Sequence, residues 1–202
     1  MKLLKKLSLL TALLFVTSNL LMAQLSLGVR GGINLAKEYV EFSGESETSD
    51  ALTGLTLAGL IEIGMGEHFA IQPELVFVQK GGSNGDSDDD LTLNHFDVPV
   101  LLKYKVGAES FGGYLAAGPT FGYALSGKFG DEKFEDDDWE GYNRFELGAS
   151  LGGGLGLNLA SGMVFLDIRY LLSLNNLSED DEITIKNRGI GLSVGYLHTL
   201  GD

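Results

Sequence analysis

Two short acidic runs are the residues of this chain best suited to hold a ligand. Asp86, Asp88, Asp89 and Asp90 stand in "GGSNGDSDDD", and Asp136, Asp137 and Asp138 stand in "GKFGDEKFEDDDWEGY". Clustered carboxylates are hard oxygen donors, and calcium accepts about 6–8 of them in irregular geometry. Neither run has the full spacing of an EF-hand loop. The expectation is a weak calcium or magnesium site shared between segments, with no other cofactor. The competing expectation is a solvated, mobile, repulsive surface, because acidic runs are mostly that.

Nucleophilic catalysis needs a base beside a nucleophile. The chain has no cysteine and only three histidines, His68, His95 and His198. The Gly-x-Ser-x-Gly spacing occurs at 81–85, 148–152 and 191–195, but none of the three stands at a strand-to-helix turn, so no nucleophile elbow is present. Strand parity turns only His95 inward, two residues before Asp97, and no serine is marked out beside it. No catalytic residue is assigned, and the chain reads as non-enzymatic.

The elements that position these residues follow from a period of two. Alternation predicts eight strands near 25–35, 52–64, 69–80, 92–106, 111–124, 143–157, 163–174 and 187–199. Polar segments near 36–51, 81–91, 125–142 and 175–186 alternate with the tight turns "GMGEH", "GAES" and "ASG". An up-and-down meander puts all long connections at one end, the asymmetry of bacterial outer-membrane barrels. The four long connections hold twenty acids against Lys37, Lys128, Lys133 and Lys186. Trp139, with Phe134 and Tyr142, gives the third an apolar element suited to contact a partner.

One strand face is apolar, as in "VFLDIRYLL", where Val164, Leu166, Ile168, Tyr170 and Leu172 alternate away from Asp167 and Arg169. The other face collects Arg30, Glu62, Glu74, Lys80, Asp97, Lys103, Lys105, Arg144, Glu146, Asp167 and Arg169, with many glycines. A soluble lipocalin-type barrel would bury the apolar face, and a membrane barrel would turn it to lipid. Glycine weakens a solvated strand but suits a narrow lumen. Two aromatic girdles agree: Phe69, Tyr104, Phe111 and Tyr196 at one end, Phe77, Phe96, Phe121, Tyr123 and Phe145 at the other. The fold expected is all-β: an eight-stranded antiparallel up-and-down transmembrane β-barrel. Its inward charges are expected to form a paired structural network that fills the lumen, with an ion path as the alternative.

Residues 1–23 read as a cleaved signal peptide, with Lys2, Lys5 and Lys6 ahead of an apolar run and Leu21-Met22-Ala23 before the cut. Residues 24–202 then form the barrel domain. Removing the signal takes the formal net charge from −14 to −17, which excludes nucleic acid as a partner.

The segments "LGVRGGINLA", "FAIQPELVFVQKGG" and "FDVPVLLKYKV" resemble the Bacteroidota outer-membrane β-barrel family, often labelled porin-family or PorT-like. The resemblance implies residence in the bacterial outer membrane among its lipid and lipopolysaccharide, and insertion by the barrel-assembly machinery. With the topology above, the termini are expected in the periplasm and the long loops outside. The expected role is non-enzymatic, structural or surface-interacting; accessory service to a secretion system, or a small-solute or ion channel, are the alternatives.

Overall fold

The computed structural model describes residues 24–85, 90–107 and 110–200. The signal segment, Asp86, Asp88 and Asp89 lie outside the described residues.

Ten strands follow the chain: β1 (Leu25–Phe42), β2 (Glu45–Thr48), β3 (Leu52–Met65), β4 (Phe69–Gly82), β5 (Leu91–Gly107), β6 (Phe111–Phe129), β7 (Glu132–Lys133), β8 (Phe145–Leu159), β9 (Gly162–Ser173) and β10 (Ile183–Leu200). Eight of them form an antiparallel meander that closes on itself through β10 and β1. The closing seam is long, running in unbroken register from Leu25 opposite Leu200 to Phe42 opposite Ile183. The two short strands, β2 and β7, are hairpin extensions of β1 and β6 at the long-loop end. The β1–β2 turn is set by Ser43 and Gly44, both at positive φ, as a two-residue hairpin loop with the twist of its strands requires.

Outward side chains decide between the two barrel types. Leu57, Leu115, Leu151 and Leu166 are each more than 60% exposed, and they belong to a continuous outward apolar band on all eight strands. A soluble monomer does not carry such a surface. Inside, the layers are mixed. Leu60, Leu101, Tyr114, Ala116, Phe165 and Leu197 pack as an apolar cluster, and Ala58, Val76 and Val78 as a second. Interior glycines make room for the long side chains. A β-carbon on Gly154 would meet the Tyr114 ring at 2.5 Å, and one on Gly195 the Phe165 ring at 2.3 Å.

The strands run further at the loop end than alternation alone predicts. β1 continues to Phe42 and β10 starts at Ile183, where polar pairs such as Glu38 with Asn187 mix with apolar ones such as Val40 with Ile185 and neither face is continuously apolar. Backbone hydrogen bonding there has β2 and the opposite strand as partners, so the ladder outlasts the lipid-facing pattern.

Candidate functional site

The lumen is where the fold buries charge. In mid-barrel, Glu74 on β4 receives Arg30 from β1 and Arg169 from β9, at 2.9 and 2.8 Å. Arg30 also donates to the Ser193 hydroxyl on β10 at 3.0 Å. Arg169 turns back on its own strand to Asp167 at 2.6 Å, and the Tyr114 hydroxyl donates to the other Asp167 oxygen, also at 2.6 Å. Asp167 and Arg169 share a face because they are two residues apart on a strand.

Towards the short-turn end, Lys103 reaches Glu62 at 2.6 Å and lies 3.9 Å above the Tyr114 ring. Lys105 reaches the second Glu62 oxygen at 3.0 Å. Gln72 joins the two groups, accepting from Lys103 and donating to Glu74. Towards the loop end, Lys80 bridges Asp97 and Glu146 at 2.9 and 3.0 Å, and Asn187 donates to Glu146 at 2.9 Å.

Five bases thus meet five acids: Arg30, Lys80, Lys103, Lys105 and Arg169 against Glu62, Glu74, Asp97, Glu146 and Asp167. Mutual pairing offsets the several kcal/mol that burying each ion costs. Between the mid-barrel and loop-end groups lies a cavity of about 30 Å³, lined by Arg30, Asp97, Thr120, Ser150, Asp167 and Arg169. That is the volume of about one water. The short-turn mouth holds a wider vestibule of about 450 Å³, into which Glu62, His68 and Lys105 face.

Arg144 is not in this network. It precedes β8, where strand alternation no longer directs the side chain, and it turns over the rim instead. Its guanidinium donates to the Ala124 and Leu125 carbonyls, both at 2.9 Å. It also stacks 4.5 Å from the Trp139 ring and 5.0 Å from the Tyr123 ring. Phe134 and Tyr142 flank Trp139 at 5.2 and 5.8 Å, so the loop aromatics form one packed unit held down by Arg144. Without Arg144 the lumen charges balance.

His95 is fully buried at the loop-end group, 3.7 Å from Asp97 and 3.8 Å from Glu146, with neither ring nitrogen hydrogen-bonded. His68 lies beside Tyr104 in a turn, and His198 beside Tyr196 on the outer face. Asp136, Asp137 and Asp138 are exposed on a short 3-10 helix, Asp136–Trp139, where Asp138 caps the Glu135 amide at 2.7 Å. Asp90 accepts from the Gly130 amide through its carbonyl at 2.9 Å. Among the described residues no group of three or more histidine or acidic side chains is arranged to hold a metal ion.

Two rim groups beyond the lipid-facing band have displaced titration. Burial raises the Glu38 carboxyl to about 7. Burial also pushes the Tyr142 phenol up, with the Glu146 and Glu38 charges adding to it.

Sequence reasoning missed the inward apolar residues Leu60, Leu101, Phe165 and Leu197. The signal was available for Phe165, which has the parity of Asp167. It also missed the polar linkers Gln72, Ser193 and Asn187, whose parity is inward but whose partners are far away in sequence.

A closed eight-stranded barrel with an apolar exterior and a charged, filled interior defines a class, the transmembrane β-barrels. A family model described as the outer membrane protein beta-barrel domain matches residues 18–179, and the chain belongs to that family. No curated protein matches the chain. Among solved structures it is similar to Neisserial surface protein A, at 11% identity and a TM-score of 0.54, covering 87% of this chain and 97% of that one. It also matches Ail, the attachment invasion locus protein of Yersinia pestis, at 14% identity and a TM-score of 0.43, covering 85% and 99%. The N-terminal barrel of Pseudomonas aeruginosa OprF matches at 11% identity and a TM-score of 0.44, covering 87% and 98%.

Proposed function

We propose that the chain is a non-enzymatic outer-membrane protein in which the barrel is an anchor and the loop end is a surface-interaction face. The termini lie in the periplasm and the loops outside, with the barrel-assembly machinery as the route of insertion. The observation that carries this reading is the lumen itself. Five bases, five acids and two apolar clusters fill the barrel beyond the short-turn vestibule and leave room there for about one water. An interior so filled supports anchoring over conduction. The acidic loops and the Arg144-clamped aromatic unit are what remains to meet a partner. The resemblance of "QPEL" and "VPVLLKY" to Bacteroidota barrels supports assigning the chain to that group of bacteria.

The test is accessibility in intact cells. A cysteine replacing Asp136 is expected to react with a membrane-impermeant maleimide, and one replacing Ser110, in a short turn, is expected to stay unlabelled. The reverse pattern refutes the orientation. Stepwise single-channel current from the purified barrel in planar bilayers refutes the plugged lumen.

A further inference from the structure

Five basic side chains are spent in the lumen. The other basic residues of the described barrel, Lys37, Lys128, Lys133, Arg144, Lys186 and Arg188, all lie towards the loop end. Three of them converge. Register across the closing seam sets Lys37 opposite Arg188 and Tyr39 opposite Lys186. Lys37 shares the parity of Ile33 and Leu35, and Lys186 and Arg188 that of Ile190 and Leu192. All three cations therefore stand on the outward face, just beyond the apolar band.

Among the described residues no carboxylate forms an ion pair with Lys37, Lys186 or Arg188. The Arg188 guanidinium is held 4.4 Å over the Tyr39 ring, and its Nε is buried without a hydrogen-bond partner. Glu41, two residues beyond Tyr39 on the same face, accepts from the Tyr39 hydroxyl at 2.9 Å. In a chain with twice as many acids as bases, three adjacent cations left unpaired call for an anion from outside.

The surface below fits the rest of such a molecule. An open apolar groove of about 690 Å³ starts on β1 and β10 and runs across β9 and β8 to β6. Gly31 and Gly153 leave its floor low, and Ile33, Leu166, Ile168 and Leu192 form its walls. Ile33 is four residues from Lys37, and Leu192 is four from Arg188. At about 3.3 Å per residue the groove begins roughly 13 Å beneath the cations. An anionic head at one height and an apolar chain below it make an amphiphile. A phosphomonoester carries about −1.5 to −2 near neutral pH, a closer match to three cations than the single charge of a phosphodiester.

We propose that the β1–β10 seam is a binding site for lipopolysaccharide. Lys37, Lys186 and Arg188 hold a lipid A phosphate, and the groove takes an acyl chain. The assignment rests on the orientation proposed above, since that glycolipid belongs to the outer leaflet.

The experiment is native mass spectrometry of the refolded, purified barrel in neutral detergent. The probes are bisphosphorylated lipid A, phosphatase-treated lipid A and phosphatidylglycerol. Bisphosphorylated lipid A is expected to bind at least tenfold more tightly than either other lipid. The K37Q/K186Q/R188Q variant is expected to lose that preference, and K128Q/K133Q to keep it. Equal binding by parent and triple variant overturns the seam site. Equal retention of phosphatase-treated lipid overturns phosphate recognition, and equal retention of phosphatidylglycerol overturns the glycolipid. Circular dichroism of the triple variant separates lost binding from lost fold, and R188K, which keeps the charge, is expected to retain the preference. Cysteine labelling reads orientation without lipid, so failure of either reading is distinguishable.

Discussion

Glu74 is the carboxylate on which the mid-barrel network turns, and Glu74→Gln is the sharpest perturbation of it. Its side chain has no solvent exposure, and it receives Arg30 and Arg169 at 2.9 and 2.8 Å. Glutamine keeps the shape and removes the charge. The lumen would then hold five bases against four acids, and the new amide would point donors at guanidinium donors. Breaking a buried pair by removing one partner costs roughly 3–5 kcal/mol, because the other charge is left uncompensated. With a urea slope of about 2 kcal/mol per molar, a loss of about 4 kcal/mol moves the unfolding midpoint down by roughly 2 M. The assay is equilibrium urea unfolding in phospholipid vesicles, followed by the strand signal in circular dichroism. Adding Arg30→Gln restores the charge balance, with Arg169 still paired to Asp167 at 2.6 Å. The double variant is expected to recover part of the loss, within the coupling of about 0.5–3 kcal/mol usual for neighbours. A midpoint shift below about 0.5 M for Glu74→Gln, or no recovery in the double variant, would refute the claim that paired burial governs this lumen.

Three further outcomes are expected. Ile168→Arg, on a lipid-facing position that is 54% exposed, should cost roughly 2–4 kcal/mol in bilayers, and full tolerance there would mean the band does not meet lipid. Glu38 has its carboxyl raised to about 7, so the folded state binds its proton more tightly than the unfolded chain does. Its contribution therefore turns unfavourable as pH rises from the unfolded value near 4.5 to about 7 and is constant above that. Glu38→Gln should raise the urea midpoint at pH 8 and leave it unchanged at pH 4; an equal gain at both refutes the assignment. Millimolar calcium should slow proteolysis of the loops carrying Asp86, Asp88, Asp89, Asp90, Asp136, Asp137 and Asp138 more than sodium chloride of equal ionic strength, and equal protection leaves those acids a screened surface only.

Alternation made the eight strands and their two faces legible, because one face is continuously apolar. It lost β1 beyond Leu35 and β10 before Asn187, where the ladder continues through polar pairs such as Glu38 and Asn187. Position on the inward face was also legible for ten of the eleven charges, Arg144 being the exception at a strand end. Pairing was not. Arg30 and Glu74 are 44 residues apart, and Arg169 and Glu74 are 95 apart, so only closure of the sheet shows that one carboxylate serves both. Leu60 and Leu101 escaped notice because each adjoins an outward apolar residue, Ile61 and Leu102, and parity blurs where both faces are apolar.

The closing seam has a kinetic meaning. It joins the first and last strands, so Leu25 must find Leu200 with nearly the whole chain between them. Contacts of such separation form late, since loop-closure entropy is lost before they repay it. Arg30 on β1 meets Ser193 on β10 across this same seam, and it reaches Glu74 two strands away on the other side. Until the last strand docks, Arg30 has one flank open and the mid-barrel ions remain accessible to water. Final desolvation of the network and closure of the cylinder are then a single step. A sheet that stalls before that step stays wet inside and free to reopen, whereas one that completes it is locked by the ions it has just enclosed.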